Sequence, residues 1–145
     1  MRLFCALVLL FVALSAHGEP PSDVPSIALR HLSTTFVNRG MCAIRFGIES
    51  EQGGGDAGEV EIHLRFVNPA GKTLYRSTIT TSLDDSTAGR YKEEFVEGED
   101  ICFPPETKVI ITRATSKTGG KVYDLIKLHK IREDAFRSYR ITVGQ

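Results

Sequence analysis

The strongest pattern in this 145-residue chain is a strict alternation of apolar and polar residues over positions 59–66. The apolar positions of this stretch are Val60, Ile62, Leu64 and Phe66. Because successive side chains of a strand point to opposite faces, the alternation predicts a β-strand that is buried on one face only. Residues 42–48 alternate in the same way, with Ile44, Phe46 and Ile48 on the apolar side.

Turn-forming residues divide the rest of the chain into segments of strand length. A glycine-rich stretch over 51–58 follows the second of these strands, and polar or Gly-containing turns recur at 68–71, 84–90 and 118–120. Residues 122–131 are apolar but less regular, which leaves a helical turn open there. About eight short strands with no convincing helix predict an all-β fold, an antiparallel β-sandwich.

The first eighteen residues combine a basic start, an apolar run and small residues before a cleavage point. Arg2 precedes the apolar run over 3–14, and Ala16 and Gly18 occupy the −3 and −1 positions of a cut before Glu19. This pattern is typical of a secretory signal peptide over residues 1–18, and the run is too short to span a bilayer. We therefore predict a secreted, extracellular product with no transmembrane segment.

The remaining length suits a single domain. Residues 19–41 are predicted to form an N-terminal leader with a candidate edge strand, and residues 42–145 the sandwich. The 18 basic and 18 acidic residues balance, which argues against nucleic acid as a partner. Acidic residues dominate up to position 106 and basic ones after it. Either the two groups neutralise one another in the fold, or a basic face meets anionic lipid or an acidic partner.

Two cysteines, Cys42 and Cys102, remain once Cys5 leaves with the signal peptide. An even number of cysteines in a secreted chain favours one disulfide between them. Two free thiols or a bridge to another chain are the alternatives.

Residues with catalytic chemistry are sparse. The histidines outside the signal peptide, His31, His63 and His129, are isolated and lack the spacing of metal ligands. No Gly-x-Ser-x-Gly motif marks a nucleophile. We therefore predict no catalytic residues and no enzymatic activity.

Carboxylates in the loops provide the only cofactor candidate. Calcium takes six to eight oxygen ligands, and loops at one end of a sandwich can bring such groups together. Asp56, Asp84 and Asp85 are the candidate ligands of such a site. A solvated acidic surface is the favoured interpretation, so we predict no required cofactor and keep calcium as the alternative.

Several segments follow one another in an order known from a family. A strand, a glycine-rich loop containing Asp56 and a second strand cover residues 48–64, and a turn follows at 68–72. Late strands correspond to residues 94–96, 108–111, 123–128 and 139–141. This order resembles the PLAT domain, the β-sandwich shared by lipoxygenases, pancreatic-type lipases and polycystins. Other sandwiches, of C2, immunoglobulin-like or transthyretin-like type, are the alternatives.

The PLAT resemblance implies a noncatalytic PLAT/C2-like module that docks onto a membrane lipid surface or a lipid-associated protein, in some cases with calcium. Phe103 would then insert into the lipid, and Lys117, Lys121, Lys127 and Lys130 would attract anionic headgroups. The alternative is a secreted protein-interaction protein without a lipid role, such as a cytokine-like ligand, a carrier or a component of the extracellular matrix.

Overall fold

The computed structural model describes residues 24–36, 41–99, 101–102, 107–134 and 140–143. Within these ranges the chain forms nine β-strands and no helix, and hence no helix that could cross a membrane. The strands are β1 (Ile27–Phe36), β2 (Met41–Ser50), β3 (Gly58–Val67), β4 (Thr73–Leu83), β5 (Tyr91–Glu99), β6 (Lys108–Thr118), β7 (Lys121–Asp124), β8 (Ile131–Asp134) and β9 (Arg140–Val143).

The strands form two sheets. Sheet A has the order β5-β2-β1-β8, and sheet B has the order β4-β3-β6-β7, with β9 also paired to β6. The β1–β8 and β6–β9 pairs are parallel, and the others are antiparallel. Strands β1, β2 and β5 thus lie in one sheet and β3, β4 and β6 in the other. The predicted all-β sandwich of about eight strands is confirmed.

The alternating segments place their apolar residues between the two sheets. Ile44, Phe46 and Ile48 of β2 are fully buried, and so are the four alternating apolar residues of β3 named above, at no more than 1% exposure. Removing a side chain of this size from water contributes about 1.5–3 kcal/mol, so these two strands supply much of the core. The intervening polar residues of both strands face outward.

Strand β1 is an internal strand of sheet A. It pairs with β2 on one side and with β8 on the other, where Ile27 lies opposite Ile131. Ile27 and Leu29 are fully buried. The prediction of an edge strand in a leader outside the sandwich is therefore wrong for residues 27–36. The second neighbour of β1 is β8, which lies about a hundred residues later in the chain. No local sequence pattern indicates that β1 and β8 pair.

A disulfide joins Cys42 to Cys102, as predicted. Cys42 lies in β2, and Cys102 lies just after β5, the neighbour of β2 in sheet A. Both residues are buried in the core, and their Cα atoms are 6.2 Å apart. The bond closes a loop of 60 residues. This loop contains β3 and β4 of sheet B as well as β5 of sheet A, so the bond restricts parts of both sheets.

A short turn connects β7 to β8, where the sequence leaves a helical turn open. The Asp124 carboxylate accepts hydrogen bonds from the backbone N–H groups of Ile126 and Lys127, both at 3.1 Å. Leu125 is fully buried and anchors the turn in the core. His129 adopts a left-handed conformation, with φ of 53°. This segment therefore forms a turn, and its buried apolar side chain packs in the core.

Gly58, at the start of β3, permits a close approach of two strands in sheet B. Its φ is +64°, and a Cβ atom there would overlap the carbonyl oxygen of Lys117 on β6. We expect Gly58→Ala to lower the free energy of unfolding by about 1–3 kcal/mol, measured by urea denaturation.

The matched control for this prediction is Gly119→Ala. Gly119 has a similar φ of +56°, but a Cβ atom added there would have no neighbour within 4 Å. The control variant thus carries the backbone strain without the overlap, and it should lose less stability. Equal losses for the two variants would contradict a role for the close approach at Gly58.

Candidate functional site

Strand β5 presents a large aromatic side chain to solvent. Phe95 is 62% exposed, whereas the next residue, Val96, is 2% exposed and lies in the core. Phe95 is paired with Arg45 on β2, so it belongs to the outer face of sheet A. Because β5 is an edge strand of this sheet, the ring lies at the margin of the face and is open to another molecule.

Ion pairs and hydrogen bonds order the side chains beside Phe95. The Arg45 guanidinium lies 3.2 Å from Glu93, and the Tyr91 hydroxyl donates to the same carboxylate at 2.9 Å. Burial raises the pKa of Tyr91, and its hydrogen bond to Glu93 raises it further. Arg30 on β1 pairs with Asp134 on β8 at 2.7 Å, which extends the ordered face across the sheet.

Carboxylates form an acidic rim around Phe95. Three glutamates of β5, Glu93, Glu97 and Glu99, share the side of the strand that carries Phe95. Among these three, only Glu93 has a described ion pair. We call Phe95, Arg45 and this rim the Phe95 face. It has an apolar centre and a charged border.

Sequence reasoning missed the Phe95 face, because it placed residues 94–96 only in a late strand. A signal existed, since Tyr91, Glu93 and Phe95 share one side of an alternating strand. An aromatic residue on the polar side of such a strand indicates either an unrecognised core contact or a binding surface. Only the sandwich shows that Phe95 makes no core contact, because Val96 occupies the inward position.

The three calcium candidates lie in two neighbouring loops. Asp56 accepts a hydrogen bond from the backbone N–H of Asp85 at 2.9 Å, and Asp85 accepts one from the N–H of Gly53 at 3.1 Å. Asp84 accepts from the N–H of Ser86, and hydrogen bonding to Ser86 lowers its pKa. Among the described residues, no group of three or more His, Cys, Asp or Glu residues is placed to hold a metal ion. The carboxylates connect the loops, and calcium binding stays the alternative.

The predicted lipid-binding lysines lie on the segment from β6 to β8. Lys117 is in β6 and Lys121 starts β7, next to the turn of that hairpin. Lys127 and Lys130 lie in the turn before β8, where Lys127 pairs with Asp124 at 3.7 Å. Phe103 lies outside the described residues. The structure therefore tests neither the insertion of Phe103 nor the contact of these lysines with lipid.

The fold and the Phe95 face define a disulfide-linked β-sandwich with an exposed aromatic residue on a sheet edge. Within this class the chain belongs to the IrmA family, described as interleukin receptor mimic protein A, whose profile matches residues 27–133. The structural characterisation of IrmA from Escherichia coli provides a similar fold, with a TM-score of 0.59 and 23% sequence identity. That match covers 77% of this chain and 92% of the other. No curated protein matches this chain.

The predicted PLAT membership is wrong. The IrmA match runs from β1 into β8 and includes most of the stretches that suggested a PLAT domain. The reason lies in the pattern used, since a strand, a glycine-rich loop and a second strand occur in many kinds of β-protein. In this chain the loop joins β2 of sheet A to β3 of sheet B. Which sandwich such segments build depends on how strands distant in sequence pair. The lipid-docking role that the resemblance implied loses its support.

Proposed function

We propose that this chain is an exported, noncatalytic β-sandwich that binds a protein, and that this protein is a cytokine of the interleukin class. The family match over residues 27–133 carries the proposal, because a mimic of an interleukin receptor has an interleukin as its ligand. The signal-peptide pattern over residues 1–18 supports export. A protein-interaction role thus replaces docking onto a lipid surface.

We assign the partner contact to the Phe95 face. Protein interfaces centre on a few aromatic and arginine side chains surrounded by a polar rim. Phe95, Arg45 and the rim of β5 glutamates on the same side have this arrangement. The ion pairs beside Phe95 hold neighbouring side chains in place, which lowers the entropy lost on binding. In the described part of the chain, β5 also has a sheet neighbour on one side only, β2.

The test of this assignment is Phe95→Ser. We expect it to weaken binding to the responsive interleukin about 10- to 100-fold, because the apolar centre of the contact is lost. Binding of the oxidised, exported chain to a panel of purified interleukins is measured by biolayer interferometry.

The matched control is Val122→Ser on β7. Val122 is 63% exposed, close to the value for Phe95, but lies in sheet B. This variant should bind like the unmodified chain. Equal losses for the two variants would overturn the assignment of the face, whereas absence of binding to every interleukin would overturn the proposed class of partner.

A further inference from the structure

The outer face of sheet B carries a cluster of basic side chains. Arg65 on β3 lies directly opposite Arg76 on β4. Two residues away, His63 on β3 lies opposite Arg113 on β6. The neighbouring β3 residues Ile62, Leu64 and Phe66 are buried. Since alternate residues of a strand share one face, the four basic residues all face away from the core. We call these four residues the arginine face.

The arginines of this face form no direct ion pair within the described part of the chain. They are Arg65, Arg76 and Arg113, and among the same described residues the Nε atom of Arg65 is buried without a hydrogen-bond partner. The adjacent carboxylate on β3, Glu61, is bound to His63 at 2.6 Å. This hydrogen bond lowers the pKa of Glu61, and the charges of His63 and Arg113 contribute.

The opposition of Arg65 and Arg76 has a physical cost. Like charges directly opposite one another in an antiparallel pair destabilise the sheet. An anion placed between them would convert this repulsion into attraction, because guanidinium groups bind tetrahedral oxyanions through paired N–H donors. The two arginines are therefore better suited to an anionic ligand than to the stability of the free protein.

The surroundings of the arginines indicate which anion fits. An open groove of about 200 Å³ lies over β4, β3 and β6, and the hydroxyl-bearing residues Thr78 and Thr112 line it beside Arg76. Such groups hydrogen-bond to sugar hydroxyls. The arginine face spans three strands, about 10 Å, so it can contact successive charged groups of a chain. It offers no phenylalanine, tyrosine or tryptophan on which nucleic-acid bases would stack.

We propose that the arginine face is a binding site for sulfated polysaccharide. Arg65 and Arg76 bind one sulfate group between them, Arg113 binds a second, and the hydroxyl groups of the groove contact the sugar. This site lies on the sheet opposite the Phe95 face, so it does not depend on the proposed binding of an interleukin.

The experiment measures binding of a fluorescent heparin octasaccharide to the exported, oxidised chain by fluorescence anisotropy. The test variant is Arg65→Gln/Arg76→Gln. The matched control is Lys117→Gln/Lys121→Gln, which also removes two positive charges from sheet B but at the β6–β7 hairpin. We expect the test variant to lose affinity at least about 10-fold and the control about 3-fold or less.

A second variant separates binding from folding. Arg76→Glu places a carboxylate opposite Arg65, so its melting temperature should equal or exceed that of the unmodified chain while heparin binding is lost. The desulfated octasaccharide should not bind. The proposal would be overturned by equal losses for the two double variants or by equal binding of the desulfated sugar. Equal binding of single-stranded DNA or polyglutamate would overturn it too, because the site would then select charge alone.

Discussion

Replacing Cys42 and Cys102 together by alanine is expected to lower the free energy of unfolding by about 4 kcal/mol. The bond closes a loop of 60 residues and so restricts the unfolded chain. Both residues are buried, at 1% and 4% exposure, and alanine avoids leaving a buried hydroxyl group without a partner. Since domains of this kind are stable by about 5–15 kcal/mol, the variant should be close to the limit of folding.

Urea denaturation of the oxidised chain, followed by circular dichroism, measures this loss. The unmodified chain in the presence of a reducing agent serves as the comparison, because it lacks the same bond but keeps both sulfur atoms. The reduced chain and the double variant should unfold at similar urea concentrations. A loss below about 1 kcal/mol would show that the loop is already restricted in the unfolded state.

Phe46→Ala is expected to cost about 3–5 kcal/mol, the second large effect. Phe46 lies in the middle of β2 and is fully buried, and its ring centroid is 6.4 Å from that of His31 on β1. Strands β1 and β5 flank β2, and sheet B covers its inner side, so the surrounding atoms can fill the cavity only in part. The lost contacts and the remaining cavity both contribute to the cost.

The control for Phe46→Ala is Phe95→Ala on the adjacent strand. It removes the same atoms from a ring that is 62% exposed, and the free energy of unfolding should change by no more than about 0.5 kcal/mol. Both variants are compared by urea denaturation under identical conditions. A loss of several kcal/mol for Phe95→Ala would mean that Phe95 supports the fold, and it would remove the main argument for the Phe95 face.

Comparison of Phe46 with Phe95 also shows which features the sequence predicts and which it does not. Phe46 follows the apolar phase of its strand, and its burial was predicted because the alternation over 42–48 is regular. Phe95 stands among glutamates, and its segment was predicted only to be a strand. The predicted PLAT membership was wrong for a related reason. It rested on the order of local turns and strands, whereas families of β-sandwiches differ in how the strands pair within the sheets.

Local chemistry alone determined the existence of most strands, the disulfide and the two-sided character of β2 and β3. Side-chain alternation is a local pattern, so it predicts a strand from a few neighbouring residues. The disulfide follows from the number of cysteines, because only two are available to pair. The parallel pairing of β1 with β8 and the partners of each edge strand depend on contacts between distant segments. So do the positions of Arg65, Arg76 and Arg113 on one face, because three strands must first align in register. The three-dimensional packing of the sheets therefore decided which charged and aromatic residues form surfaces able to bind a partner.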